Sequence, residues 1–402
     1  MERDADMDNE IMKDIFSKSI EEMPGTIFEC ACGMSHGVDI EKMVVRNEGV
    51  MDDVVDTLKP YRDGKLFILS DQNTYKALGE SVVERLNREG FNINSFTFEP
   101  GIHDLLPDER AIGRLLIEMD QNTSFILAVG SGVLNDIARV VGFRTNKPFA
   151  IVGTAPSMDG YASVTSSLIV NGKKISTPGK YPSAIFADVS IMRNAPMIMI
   201  QAGFGDVLGK ITALADWQLA NVMEGEHYCE TIARLVQKAV DKCIESTEGL
   251  VAREEEAVGC LIEALLLTGI CIGLAGNTRP ASGMEHILAH YWDVKAIEAG
   301  QEHPLHGNSV GVGTVVTAML YELAADIVPD GISYPSVAYV KGLLQSIGAC
   351  STPGELGISR ELFLDSMINA VHTRKKYTLL QLCYDSGKLN DYAEIMTRRF
   401  YD

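Results

Sequence analysis

His286 and His290 stand four residues apart in GMEHILAHYWD. His306 follows in HPLHGNSVGVGT, and Asp206 lies upstream in QAGFGDVLGK. On a helix, residues four apart are separated by about 40° around the axis, so both imidazoles of the pair can face one pocket. Imidazole nitrogen together with carboxylate oxygen suits a catalytic divalent metal that keeps one coordination position open. A polar helix face carrying two histidines would give the same pair by itself. A zinc protease is excluded by order, because HExxH needs Glu just after the first His, whereas Glu285 precedes His286.

A second group of residues can hold a nucleotide. FILAVGSGVLNDIARVVG, residues 125–142, reads as a strand, a glycine turn and a helix beginning near Val133. Gly130 and Gly132 let the backbone approach a pyrophosphate, and the helix start offers N–H groups to it. The turn is not GxGxxG, because Asn135 occupies the third glycine position, and a plain strand-to-helix turn has the same look. Asp71, closing the run LFILS, stands where an acid can accept hydrogen bonds from an adenosine ribose, or where it simply caps the next helix. In GTAPSMDGYAS, Thr154 and Ser157 can donate to phosphate or to the nicotinamide side, and Asp159 can hold substrate hydroxyls.

The elements that must position these residues fall into two halves. Leu66–Ser70, Ile93–Phe98, Phe125–Val129, Phe149–Val152 and Ala184–Val189 read as strands, with helices over Tyr75–Glu89 and Ala111–Met119 between them. That alternation predicts βαβ units and a mainly parallel sheet. Ser167–Val170, the turn Asn171-Gly172 and Lys174–Ser176 read as a hairpin. After Pro196 the pattern becomes helical: Ile211–Met223, Tyr228–Glu245, Glu254–Gly273, Met284–Lys295, Val310–Ala325, Val337–Ile347, Arg360–Ala370 and Tyr392–Arg399. The expectation is an α/β Rossmann-like domain over 1–195 and an all-helical domain over 196–402, which would carry the metal and substrate.

With 402 residues and a net charge of -20, the chain has no basic stripe for nucleic acid or an anionic membrane. Its acidic start has no apolar core of the secretory kind. The longest apolar stretch, residues 257–276, contains Glu263 and reads as a buried core helix with no membrane insertion. The eight cysteines are scattered, which fits a reducing cytoplasm. Cys30-Ala-Cys32 with His36 offers half of a zinc site. No second pair completes it in sequence, and the segment reads as a strand end turning through Gly33.

Taken in order, GSGVLND, TAPSMDGYAS, GFGDVLGK, NTRPASGMEHILAH and LHGNSVGVGT closely resemble the sn-glycerol-1-phosphate dehydrogenases. These belong to the superfamily of iron-type alcohol dehydrogenase, glycerol dehydrogenase and 3-dehydroquinate synthase. TRPASGMEHILAH is the most specific segment. The resemblance implies a dehydroquinate synthase-like fold and a metal held by Asp206, His286 and His306. Substrate contacts fall on Asp206, Asp159 and His290, with Asp206 and His290 in the catalytic roles. It places NAD or NADP against Asp71, Gly132, Val133, Leu134, Asn135, Asp136, Thr154, Ala155, Pro156, Ser157 and Ser163. The metal it implies is nickel or zinc ahead of iron, and the assembly a homodimer. Ser131 departs from a glycine frequent in the superfamily's phosphate turn. His303 lies three residues before His306, so the choice of ligand rests on the shared Gly307.

The expected activity is interconversion of dihydroxyacetone phosphate and sn-glycerol 1-phosphate, for glycerophospholipid or ether-lipid precursors. The rivals are a glycerol or other polyol dehydrogenase and a sugar-phosphate cyclase of the 3-dehydroquinate synthase type. A phosphorylated triose needs a local cation. Arg279, seven residues before His286 at the entry to its helix, is the expected phosphate ligand, with Ser282 and free backbone N–H groups beside it. An ion pair across the domain boundary is the other role open to it. Lys173, Lys174 and Lys180 near the hairpin are further candidates.

Overall fold

Six strands form the expected parallel sheet in a computed structural model that describes residues 14–99 and 105–402. The acidic stretch 1–13, on which the absence of a secretory leader was argued, lies outside the described residues. The chain divides into two units: Met1–Pro196 with Arg253–Ile270, and Met197–Ala252 with Cys271–Asp402.

In the first unit a small antiparallel pair, β1 (Ile27–Glu29) and β2 (Ser35–Gly37), precedes β3 (Lys42–Arg46). Then follow β4 (Lys65–Asp71), β5 (Asn92–Phe98), β6 (Thr123–Gly130) and β7 (Phe149–Gly153). The hairpin is β8 (Thr165–Val170) with β9 (Lys173–Pro178), and β10 (Ala184–Asp188) ends the series. The sheet order is β3-β10-β7-β6-β4-β5. From β4 the chain moves to β5 on one side and to β6 on the other. The order therefore reverses between β4 and β6, and open α/β sheets bind ligands at the carboxyl ends of strands at such a point. Asp71 ends β4 and Gly130 ends β6.

Helices α1 (Val50–Leu58), α2 (Glu80–Arg88), α3 (Glu109–Glu118) and α4 (Gly132–Arg144) belong to this unit. Val50, Val54, Val55 and Leu58 of α1 recur at helical spacing and are buried with Leu66, Ile68, Phe125, Leu127 and Phe186 of the sheet. Each fully buried side chain of this kind contributes about 1.5–3 kcal/mol. Strand β3 escaped the sequence pattern because only its middle is apolar, yet it pairs in parallel along β10.

The second unit holds α5 (Met197–Glu224) and α6 (Glu230–Glu245). The next long helix, α7 (Glu255–Ala275), lies mostly with the first unit. Glu255 at its start accepts from Asn47 at 2.9 Å and Arg193 at 2.8 Å. Further along, Gly269 approaches the Asp159 carbonyl so closely that a Cβ would collide with it. The second unit resumes with α8 (Met284–Glu298), α9 (His306–Leu323), α10 (Val337–Ser346), α11 (Arg360–Asn369) and α12 (Leu389–Tyr401). Its core gathers Leu288, Trp292, Val316, Leu320, Phe363 and Met396. Helices α5 and α7 are long and apolar enough to cross a membrane, but 72% and 67% of their most apolar windows are buried within the protein, as in core helices.

Candidate functional site

The glycine turn of the first unit forms as its residues dictate. Ser131 is the N-cap of α4 but makes no side-chain cap, so it does not occupy the first-turn N–H groups of Gly132, Val133 and Leu134. A Cβ on Gly130 would meet the end of the Leu134 side chain, which would have to turn away. Asn135 is fully buried and donates to the Gly160 carbonyl at 2.9 Å. Arg139, also fully buried, donates to the carbonyls of Gly160 at 2.6 Å, Tyr161 at 3.2 Å and Thr165 at 3.2 Å. These two side chains tie α4 to the polar loop 154–163, a linkage the sequence reading missed. Asp136 pairs with Arg139 Nη1 at 3.0 Å, and burial, opposed by Arg139, pushes its carboxyl up to about 6.

Within the loop, the Thr154 N–H donates to the Gly130 carbonyl at 3.1 Å, linking the ends of β6 and β7. Tyr161 donates its hydroxyl to the Ala155 carbonyl at 2.6 Å, which steadies the Ala155-Pro156-Ser157 segment. Ser163 accepts from the Thr165 N–H at 3.0 Å, and Asp159 is the N-cap of a 3-10 turn over Gly160–Ala162. Asp71 is the N-cap it could have been: its Oδ1 accepts from the Thr74 N–H at 2.8 Å.

In the second unit the metal candidates come together. One donor atom from each of Asp206, His286 and His306 lies within 4.8 Å of the others. Asp206 is fully buried on α5, His286 buried on α8, and His306 half-buried at the start of α9. Glycine makes this meeting of helices possible. A Cβ on Gly205 would collide with the Gly307 carbonyl, and one on Gly307 with the Ala202 carbonyl. A Cβ on Gly313 would stand 2.6 Å from the Glu285 carbonyl. The three helices therefore approach backbone to backbone beside the ligands.

His286 is oriented from both sides. Its Nε2 lies 3.5 Å from Asp206 Oδ1, and its Nδ1–H donates to Glu285 Oε1 at 2.9 Å. Glu285 is fully buried and also accepts from the Gly283 N–H at 2.5 Å and the Thr212 hydroxyl at 2.8 Å. Burial disfavours an imidazolium, but Asp206 and Glu285 outweigh it and raise the His286 pKa. Asp206 is likewise penalised by burial. Lys210, whose Nζ donates to Oδ1 at 2.6 Å, and His286 overcome that penalty and hold the carboxyl well below its usual range. Asp293, fully buried, stands 4.0 Å from His306 Nδ1, the same side on which Glu285 meets His286. Glu285, Lys210 and Asp293 stand beside the three residues, and sequence reasoning did not single them out.

His290 is half-buried with its ring stacked on that of His306, at a centroid distance of 5.1 Å; the His286 ring is 6.4 Å away. His290, Asp293 and His306 also bring donor atoms within 4.8 Å of one another, so two ligand groups share His306. Asp293 lies beyond hydrogen-bond distance of His306 and stands slightly nearer His303, whose Nδ1 is 3.8 Å from its Oδ1.

Arg279 has partners within its own unit. Its Nε donates to Glu226 Oε1 at 2.8 Å, Nη2 donates to Glu226 Oε2, and Nη1 donates to the Tyr377 carbonyl at 2.6 Å. The fork expected for phosphate is closed on a carboxylate of its own unit. The N–H groups expected beside it are taken as well, Gly283 by Glu285 and Met284 by Asp216 at 2.7 Å. Near the same helix entry, Lys376 Nζ donates to the Ser282 carbonyl and to Thr278 Oγ1 at 3.0 Å. Burial, reinforced by Arg279, pushes its ammonium down to about 7.

Comparison with known proteins follows the same residues. Residues 45–196 match the family model described as iron-containing alcohol dehydrogenase. The chain is 32% identical over 393 residues to a glycerol-1-phosphate dehydrogenase (NAD(P)+) of Bacillus subtilis, covering 93% of this chain and 97% of that one. It is 30% identical over 347 residues to the protein of the same name from Thermococcus kodakarensis, covering 86% and 93%. Among solved structures, an alcohol dehydrogenase from Oenococcus oeni matches with a TM-score of 0.68 at 15% identity, covering 90% of this chain and 98% of that one. At that identity the likeness speaks for the fold.

Proposed function

The chain belongs to the glycerol-1-phosphate dehydrogenase family, and we propose that it interconverts dihydroxyacetone phosphate and sn-glycerol 1-phosphate with NAD or NADP. One observation carries this most: the residues on which the family resemblance puts the metal bring their donor atoms within 4.8 Å of one another. One carboxylate and two imidazoles suit a divalent ion with an open position. Nickel or zinc ahead of iron is the choice the family resemblance implies. Such an ion supplies Lewis acidity toward a carbonyl oxygen.

The chain's own residues supply the rest. Glu285 fixes the ring of His286 from behind, and the charge of Asp293 stands near that of His306. Reduction adds a hydride to C2 of the triose and a proton to its oxygen. His290 orients the substrate and exchanges that proton, while Asp206 and Asp159 contact the substrate. Asp71 accepts from the adenosine ribose in addition to capping its helix. Gly132–Asp136 offer N–H groups to the pyrophosphate, and Thr154–Ser157 with Ser163 line the nicotinamide side. Lys376 takes the phosphate role in place of Arg279. The proposed setting is a cytoplasmic homodimer, without nucleic acid or membrane insertion, serving glycerophospholipid or ether-lipid precursor synthesis.

The test is NADH oxidation with dihydroxyacetone phosphate against unphosphorylated dihydroxyacetone. A site built to hold the phosphate favours the phosphorylated substrate in kcat/KM by several orders of magnitude. Equal values would make the protein a polyol dehydrogenase.

A further inference from the structure

The β1–β2 hairpin carries chemistry that a dehydrogenase does not use. Cys30 follows β1 directly, and its N–H donates to the Met34 carbonyl at 3.1 Å. The Gly33 N–H donates back to the Cys30 carbonyl at 2.9 Å, and Gly33 adopts φ +86°, a conformation that favours glycine. This tight turn places Cys30 and Cys32 beside His36 of β2. The Cys32 Sγ lies 3.2 Å from His36 Nε2. The donor atoms of Cys30, Cys32 and His36 all lie within 4.8 Å of one another. His36 is almost fully buried, and its ring packs on Phe28 across the pair at a centroid distance of 5.2 Å, so its direction is fixed.

We propose that Cys30, Cys32 and His36 bind a zinc ion. With Zn–S about 2.3 Å and Zn–N about 2.0–2.1 Å, tetrahedral donors stand about 3.5–3.8 Å apart, a spacing the gathered side chains meet with small movements. Two thiolates neutralise the ion, and neutral imidazole adds no charge, so the assembled site suits a half-buried position. The hairpin also has need of a crosslink. Its strands are three residues each, and Ile27 is 76% exposed, so little apolar burial holds it. A bound ion closes such a hairpin by converting binding free energy into folding free energy. The fourth coordination position is left to water or to a donor from outside the hairpin. This site shares no residue with Asp206, His286 and His306 and is independent of the reaction assigned to them.

The test uses the full chain stripped of metal and titrated with Co2+. Only a thiolate ligand gives a sulfur-to-cobalt charge-transfer band in the near ultraviolet, and the Asp/His/His group contains none. The band is expected to appear and saturate by two equivalents, one Co2+ going to the Asp/His/His group, to vanish in the Cys30→Ser/Cys32→Ser double variant, and in His286→Ala to persist and saturate at one equivalent. No band in the wild-type chain, or an undiminished band in the double variant, would overturn the proposal. A second measurement avoids variants: alkylation of the wild-type chain with N-ethylmaleimide, mapped by peptide mass. Zn2+ should protect Cys30 and Cys32, and chelation should release them to label. Equal labelling with and without Zn2+ would count against the site.

Discussion

Asp206 and Lys210 form an ion pair with no exposure at either side chain, inside the group proposed to hold a metal. A buried carboxylate needs such a partner, and Lys210 keeps it ionised for coordination. Substituting any one ligand, in Asp206→Ala, His286→Ala or His306→Ala, should empty the site, as elemental analysis of the purified proteins will report. His290→Ala should behave differently, keeping its metal while kcat falls by about two orders of magnitude. Metal loss in His290→Ala would move His290 into the ligand set with Asp293 and His306. Glu285→Gln is a finer probe. Glu285 Oε1 accepts from Gly283 and His286 and its Oε2 from the Thr212 hydroxyl, so an amide can keep these bonds, with its NH2 donating to Thr212, but removes the negative charge behind His286. Metal affinity is expected to fall by about 10–100-fold, measured by chelator competition, and an unchanged affinity would deny Glu285 its orienting role. Lys376 makes a prediction with a pH sign. Its pKa near 7 leaves the ammonium charged below that value and neutral above it. KM for dihydroxyacetone phosphate should therefore rise as pH climbs above about 7, and that dependence should be lost in Lys376→Met. A pH-independent KM in the wild-type protein would point the search to other cations. The types and spacing of Asp206, His286 and His306 were legible in the sequence. The role of Glu285 was not, because a carboxylate beside a histidine orients it only if it meets the right nitrogen. That is a fact of packing.

Helices α5 and α9 begin earlier than their sequence patterns suggest, at Met197 in place of Ile211 and at His306 in place of Val310. Both misplaced starts have one cause. Gly203, Gly205 and Gly209 in the missed part of α5, and Gly307 in that of α9, lower helix propensity by nearly 1 kcal/mol each relative to alanine. Tertiary contact overrides that cost at Gly205 and Gly307, where a Cβ would collide with the carbonyls of Gly307 and Ala202. The same glycines bring Asp206 and His306 to one place, so the residues that hid the helices also build the site. Gly307→Ala should be destabilised by about 1–3 kcal/mol through overpacking and should lose metal as the helices part. Thermal unfolding with metal analysis would check it, and a stable, metal-replete variant would contradict the close-approach account. In the first unit the strands were legible because buried parallel strands are short apolar runs, as in Phe125–Val129. Strand β3 was not, since its ends are polar and it pairs with β10, distant in sequence, and of the β1–β2 pair the pattern gave only a strand end turning through Gly33.

At the scale of the whole chain, the break near Pro196 follows the change from alternating strands and helices to helices alone, while Arg253–Ile270 returns to the first unit against that pattern. Helix α7 is apolar on nearly every side, and a helix of that kind declares burial without declaring where. On a chain with a net charge of -20, the proposed anionic substrate needs a local cation, and Lys376 is the one proposed while Arg279 is paired with Glu226. The central claim is a dehydrogenase selective for one phosphorylated enantiomer. The measurement that tests it most directly is reduction of NAD by the metal-loaded protein with sn-glycerol 1-phosphate, sn-glycerol 3-phosphate and glycerol offered separately at matched concentrations. Turnover with sn-glycerol 1-phosphate alone is the predicted result. Comparable turnover of glycerol, or of the sn-3 enantiomer, would contradict it.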